Sequence, residues 1–252
     1  MSQKRIDVIL GIIKEQGYVT VKYLCDTLNY STATINRDLN DLQKQKLIVR
    51  HYGGAELVKR KGVPLAFRYH KMRPAKRMIA KEAAKLIKDG MTVFIDGTTT
   101  THYIGDYIKN IKNLTVITNN LNLASHLSES GVRCICLGGQ IVEIPYMIGG
   151  ADAVRQVHTY TADLAFFSTG GISSSGKIYA DLYFDLIKAM IENSHKSVLL
   201  IDHQKLDCEC QRVIGDLSDI DVIVTDLDFC DAVKKRAANT KFIKVDTPKT
   251  QQ

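Results

Sequence analysis

The stretch Thr20–Ala55, TVKYLCDTLNYSTATINRDLNDLQKQKLIVRHYGGA, decides how the amino-terminal part of this 252-residue chain folds. Thr20 is placed to cap a short helix in which Val21, Leu24 and Leu28 share a face, and Asn29-Tyr30 supplies a turn. Ser31 then caps a further helix. In it Ile35, Leu39 and Leu42 fall on one side, leaving Thr32, Ala33, Thr34, Asn36 and Arg37 near the outward, amino-terminal end. Short polar and basic side chains there suit base edges and phosphates. Leu47–Leu57 alternates loosely around Gly53-Gly54 and predicts a two-stranded wing carrying Arg50 and His51. Upstream, Ile6, Ile9, Leu10 and Ile13 recur at helical spacing, which predicts a lead helix over Gln3–Gln16 stopped by Gly17.

Three short helices with a polar third member also occur in purely structural pieces, so the pattern alone does not single out DNA. Charge separates the readings. Residues 1–75 carry 14 Lys and Arg against 6 Asp and Glu, net +8, whereas residues 76–252 carry 20 against 21. A basic excess confined to the amino-terminal 75 residues, the reader together with the segment that follows it, is what counterion release from phosphate requires. The expected partner is double-stranded DNA, with Thr20, Ser31, Thr32, Thr34, Asn36, Arg37, Arg50 and His51 as the candidate contacts.

Between Val58 and Pro74 the sequence lapses into VKRKGVPLAFRYHKMRP, with two prolines, six basic residues and no sustained period, as a linker would. The expected organisation is therefore 1–57 for the DNA-binding domain, 58–74 for the linker and 75–252 for a second domain. A helix is expected from Ala75 to about Lys88, ending at Gly90. Strands are then expected at Thr92–Asp96, Leu114–Thr118, Arg133–Leu137, Asp163–Thr169, Ser197–Asp202, Val222–Asp226 and Lys241–Val245. Most are continuous apolar runs, the mark of strands covered on both faces, so the fold class is α/β with a parallel, doubly wound sheet.

Open α/β sheets hold ligands beyond the carboxyl ends of their strands. Those ends carry Asp96-Gly-Thr-Thr-Thr-Thr101 entering a helix, Thr118-Asn119-Asn120, Gly138-Gly139, Ser168-Thr-Gly-Gly171 and Asp202-His-Gln-Lys205. Hydroxyls and backbone N–H groups of Thr98, Thr99 and Thr100 would serve an anion at a helix start. Gly138, Gly139, Gly170 and Gly171 would let backbone approach a ligand, Asp96 and Asp202 would meet sugar hydroxyls, Lys205 would neutralise an acid group, and Asn119 would stand among the residues around the ligand. Each motif also has a bland reading as tight turn, helix cap or solvated cation. Their shared position is what favours a pocket for a small phosphorylated polyol.

Six cysteines are expected as reduced thiols, among them Cys25 in a helix, Cys134 and Cys136 in a strand, and Cys208 and Cys210 in a loop. Two C-x-C pairs are too closely spaced for a zinc hairpin and lack a histidine-rich partner, so neither a metal nor a cofactor is expected. No run reaches the roughly 18 to 20 apolar residues of a membrane span, and polar MSQKR leads straight into an amphipathic helix, so the expectation is a cytoplasmic protein.

On these motifs the chain resembles the DeoR family of bacterial transcription regulators. VTVKYLCDTLNYSTATINRDLNDLQ followed by RHYGGA is similar to its winged helix-turn-helix. KRMIAKEAAKLIKDGMTVFIDGTTTT, LTVITNN, LGG, DLAFFSTGGIS and LLIDHQK are similar to its sensor domain. The resemblance implies a repressor with a Rossmann-like sensor related in fold to ribose-5-phosphate isomerase, released from its operator by a phosphorylated sugar. A homodimer or homotetramer is expected from paired half-sites. Two positions depart from the family pattern: Asn36 stands where an arginine usually precedes Arg-Asp-Leu, and Gly97 comes one place early, with Thr98 in the usual glycine position. The alternative is a sugar-phosphate isomerase or deaminase carrying a DNA-binding domain, with Asp96, Asp163, Asp202 and Lys205 as its candidate chemistry.

Overall fold

A computed structural model describes residues 2–16, 18–45, 47–51, 53–57, 72–143, 147–180, 184–208, 210 and 212–246. The chain divides into two compact units, residues 1–64 and 65–252. The expected stop at Gly17 and most of the expected linker, 58–71, lie outside the described residues.

The first unit runs α1 (Ser2–Gln16), β1 (Tyr18–Thr20), α2 (Val21–Leu28), α3 (Thr32–Lys44), β2 (Ile48–His51) and β3 (Gly54–Leu57). Ile6, Ile9, Leu10 and Ile13 of α1 are buried, as are Leu24, Ile35, Leu39 and Leu42 of α2 and α3, which is what their spacing requires. Thr20 and Ser31 cap α2 and α3 by accepting from the backbone N–H of Tyr23 and Thr34. Asn29 closes α2 in the left-handed region at φ 53°. The wing differs from the two-stranded expectation, because β1 pairs antiparallel with β3 and makes a three-stranded sheet of order β1-β3-β2. Gly54 permits that third strand. A Cβ there would lie 2.5 Å from the carbonyl oxygen of Val19 and closer still to the Tyr18 side chain.

The second unit opens with α4 (Arg73–Ala84), starting two residues before the expected Ala75 because Pro74 in the first helical turn loses no hydrogen bond. Then follow β4 (Thr92–Ile95), a 3-10 turn over Thr101–Asp106, β5 (Thr115–Thr118), α5 (Leu121–Glu129), β6 (Arg133–Cys136), β7 (Gln140–Glu143), β8 (Met147–Gly149), α6 (Ala151–Val157) and β9 (Ala162–Phe167). After these come β10 (Gly171–Ile172), β11 (Lys177–Ala180), α7 (Phe184–Glu192), β12 (Ser194–Ile201), a 3-10 turn over His203–Lys205, β13 (Arg212–Asp216), β14 (Val222–Thr225), α8 (Asp231–Arg236) and β15 (Lys241–Lys244).

The expected strands form one seven-stranded sheet of order β15-β14-β12-β9-β4-β5-β6, and each neighbouring pair is parallel. Alternate residues bury on opposite faces. Val93, Ile95, Val116, Phe166, Val198, Leu200 and Val224 pack under α4 and α5, with Ile79, Ala80, Ala83, Leu123 and Leu127. On the other face Phe94, Ile117 and Ala165 meet Ala153, Val157, Leu186 and Met190 of α6 and α7, while Phe167, Leu199, Ile201 and Ile223 meet Val233 of α8. Burial on both sides is what a continuous apolar strand encodes. Two smaller sheets, β10-β11-β13 and the hairpin β7-β8, were not expected from the sequence.

Chain order reverses between β4 and β9. From β4 the sheet grows to β5 and β6 on one side, and from β9 to β12, β14 and β15 on the other. This is a topological switch point, and the crevice at its carboxyl edge is where open α/β sheets place ligands.

Candidate functional site

In the first unit, Ile35, Leu39 and Leu42 are wholly buried, which turns Thr32, Ala33, Arg37 and Asn40 of α3 outward. The position of α3 is fixed by a charge pair: Arg5 of α1 donates to buried Asp38 through Nε at 2.5 Å and Nη2 at 3.0 Å. Its guanidinium lies 4.7 Å from the centre of the Tyr30 ring. The hydrogen bond to Asp38 pushes the Arg5 pKa above its ordinary value, so that charge persists at any working pH.

Thr20 and Ser31 are occupied as helix caps, and half-buried Thr34 shares a 2.9 Å hydroxyl contact with Ser31. Thr32 is exposed and takes a hydrogen bond from the Cys25 thiol. Arg37 is exposed on the outward face. Arg50 departs from expectation. Instead of pointing off the wing, its guanidinium turns onto α3, with Nη2 donating to Asn36 Oδ1 and Nη1 to Asn40 Oδ1, both at 2.5 Å. His51 ends β2 opposite Gly54, and its side chain lies outside the described residues.

In the second unit, Asp96 leaves β4 at the switch point and is only 2% exposed. Its Oδ1 accepts from Thr98 N at 3.1 Å, Thr98 Oγ1 at 2.7 Å and Thr101 Oγ1 at 2.6 Å. Oδ2 accepts from Ser168 N, 3.2 Å away on the neighbouring strand end. Burial nevertheless outweighs these four bonds and pushes the Asp96 pKa up to about 6. Asp96 thus staples its own loop to β9, where the sequence suggested an acceptor for a sugar. Thr98, expected to face an anion, turns inward with it, as does Thr101, and the expected helix is the six-residue 3-10 turn Thr101–Asp106.

Thr99 and Thr100 are buried, and Thr99 Oγ1 accepts at 2.8 Å from Nζ of Lys76, a lysine of α4 that is only 4% exposed. Sequence reading missed Lys76, which shares its helix with Arg73, Arg77 and Lys81 and carries no local signal. Asn119 at the end of β5 donates through Nδ2 to the Ile148 carbonyl at 2.8 Å, while its Oδ1 is buried with no hydrogen-bond partner among the described residues. Such an orphaned acceptor costs free energy unless something donates to it. Neighbouring Asn120 caps α5 and reaches the Gly97 carbonyl. Asp96, Thr98, Thr99, Thr100 and Asn119 therefore gather at the ends of the adjacent strands β4 and β5.

The glycine pairs make room for the protein's own chain. Gln156 bonds Gly138 N at 2.9 Å, and Gly139 at φ 147° lets the hairpin carbonyl of Gly149 approach to 2.6 Å from where a Cβ would stand. A Cβ on Gly170 would collide with Cys210 Sγ, and one on Gly171 with the Cys208 carbonyl oxygen. Asp202, just past the end of β12, the strand beyond β9, caps the His203–Lys205 turn through Gln204 N, and Lys205 sits half-buried at its end. Among the described residues no cluster of three or more metal-ligating side chains occurs, and no helix is long and apolar enough to cross a membrane.

Two family models match this chain: a DeoR-like helix-turn-helix domain over residues 5–61 and a DeoR C terminal sensor domain over residues 71–227. The glycerol-3-phosphate regulon repressor of Escherichia coli is 33% identical over 227 residues, covering 88% of this chain and 90% of its own. The transcriptional repressor GlcR of Bacillus subtilis is 31% identical over 241 residues, covering 92% and 93%. The L-fucose operon activator of Escherichia coli is 28% identical over 233 residues, covering 90% and 96%. Among solved structures, ribose 5-phosphate isomerase from Plasmodium falciparum is similar at a TM-score of 0.39 and 15% identity, over 52% of each chain.

Proposed function

Because this chain belongs to the DeoR family of transcription regulators, we propose that it represses a carbohydrate-metabolism operon and leaves its operator when a phosphorylated sugar fills the second unit. The observation that carries the reading is the outward face of α3. Thr32, Ala33, Arg37 and Asn40 stand free of the core because Ile35, Leu39 and Leu42 are sealed into it, and the whole basic excess lies in the same amino-terminal 75 residues, most of it in the segment after the wing. A helix so presented enters the major groove by its amino-terminal half. The basic excess supplies the salt-dependent, sequence-independent share of affinity.

Support for the effector comes from the side chains gathered at the switch point. Buried Lys76 beside Thr99 suits an anion, and the orphaned Oδ1 of Asn119 suits a hydroxyl donor. The effector releases DNA only if it binds the DNA-incompetent arrangement better than the competent one. Paired half-sites call for a dimer or tetramer of this chain.

An isomerase or deaminase reading finds little in this geometry. Asp96 is a stapled, buried carboxyl, Asp202 caps a turn, and Asp163 accepts from Thr92 N at the opposite, amino-terminal edge of the sheet. General-base work needs a carboxylate within reach of the proton it removes.

The test is gel retardation of genomic fragments, including the one upstream of the protein's own gene, by the intact chain at low ionic strength. A fragment should be retarded, should be lost steeply with added salt, and should be released by at least one member of a sugar-phosphate panel. No retardation of any fragment would end the DNA reading. Release by none of the sugar phosphates would end the effector reading.

A further inference from the structure

Arg50 and Asn36 are fourteen residues apart in sequence and hydrogen-bonded at 2.5 Å, and that contact constrains which base edge α3 can read. A guanidinium has five donors and no acceptor, so an asparagine facing it can offer only its carbonyl oxygen. Asn36 and Asn40 both do so, one turn apart on α3, and Arg50 bridges them with its two terminal nitrogens. The amide plane of Asn36 is thereby set, with Oδ1 toward Arg50 and the Nδ2 donor on the other side.

Asparagine reads adenine by a bidentate pair in which Oδ1 accepts from N6 and Nδ2 donates to N7. Here the adenine N6 amino group would approach an oxygen already held by a cation and would set its own donor against the N–H groups of Arg50. Guanine presents N7 and O6, two acceptors, to the same place. Those meet Nδ2 of Asn36 and the N–H groups of Arg50 that its two asparagines leave over.

We propose that Arg50 and Asn36 act as one donor-only reading unit that selects guanine in the major groove, with Arg50 the residue that sets the choice. The inference rests on the DNA-binding reading above and adds the base to it. Asn40 is the splint that keeps Arg50 in place and is exposed.

The test is selection of sequences from a randomised duplex pool by the intact wild-type chain, by Asn36→Ala and by Arg50→Ala, with each protein's melting curve recorded. The wild-type motif should hold a guanine whose preference is lost in Asn36→Ala. In Arg50→Ala, freeing Oδ1 should move that same position toward adenine, lowering the guanine-to-adenine ratio by about tenfold or more. Should Arg50→Ala fail to fold, Arg50→Met replaces it, since it keeps the length of the stem and removes every donor, and the same fall in ratio is expected. Adenine at the Asn36-dependent position in wild type would overturn the proposal. So would an unchanged guanine preference without Arg50, or a motif indifferent to Asn36. Enrichment of no sequence by folded wild-type protein would instead overturn the DNA reading, and this proposal with it.

Discussion

The carboxyl of Asp96 should make the second unit less stable as pH rises, the reverse of the usual behaviour of a hydrogen-bonded aspartate. Four donors favour its charged form, but complete burial disfavours that form more, and the pKa moves from 3.8 to about 6. A raised folded-state pKa means the native state binds the proton more tightly than the unfolded chain does. The stabilisation is present in full below about pH 4 and is lost as pH climbs through about 6. A tenfold change in proton affinity is worth about 1.36 kcal/mol, so the loss comes to about 3 kcal/mol. Urea unfolding of the wild type and of Asp96→Asn across that range isolates the effect. Asparagine does not titrate, although its Nδ2 facing the Ser168 N–H adds a constant penalty. The quantity to read is therefore the difference in slope with pH, not the offset between the two proteins. A wild-type-minus-variant curve that is flat, or that rises with pH, would show that burial does not outweigh the four hydrogen bonds and would refute the reasoning.

Three other perturbations follow from single contacts. Arg37→Ala should weaken operator retardation severely, flatten its salt dependence by roughly one charge and leave the melting curve unchanged, because Arg37 is exposed and serves no core contact. Ser31→Ala removes the cap of α3 and should cost about 1 kcal/mol of first-unit stability, read by thermal or urea unfolding. Gly171→Ala drives a methyl group into the Cys208 carbonyl and should destabilise the second unit by about 1 to 3 kcal/mol while leaving the first unit's unfolding unchanged. A Gly171→Ala protein as stable as wild type would mean that the Cys208 backbone yields freely.

The sheet was legible because a strand buried on both faces needs no partner to betray it. Val93-Phe94-Ile95 sends successive side chains to opposite layers, and both layers are helical, so every residue in the run is apolar. The strands that went unread are those whose identity is conferred by pairing alone. Gly171–Ile172 is two residues long, Arg212–Asp216 buries none of its residues, and Tyr18–Thr20 becomes a strand only by meeting Gly54–Glu56 far along the chain. Short segments of that kind have no period of their own, and their propensity is mostly the packing they find.

At the candidate sites, residue types were legible and their engagements were not. A carboxylate at a strand end reads equally as a ligand acceptor or as a loop staple, and Thr101, five residues on, is what decides for Asp96. Lys76 lies 23 residues before the threonine it touches, on a helix where every other basic residue looks the same from sequence. Arg50 read as a free cation on a wing, yet its two asparagine partners lie on a different element, 10 and 14 residues upstream. In all three cases the missing information is a donor–acceptor pairing across elements. Such pairings carry the chemistry of recognition, since a group's remaining capacity for a ligand is what its own protein has not already taken.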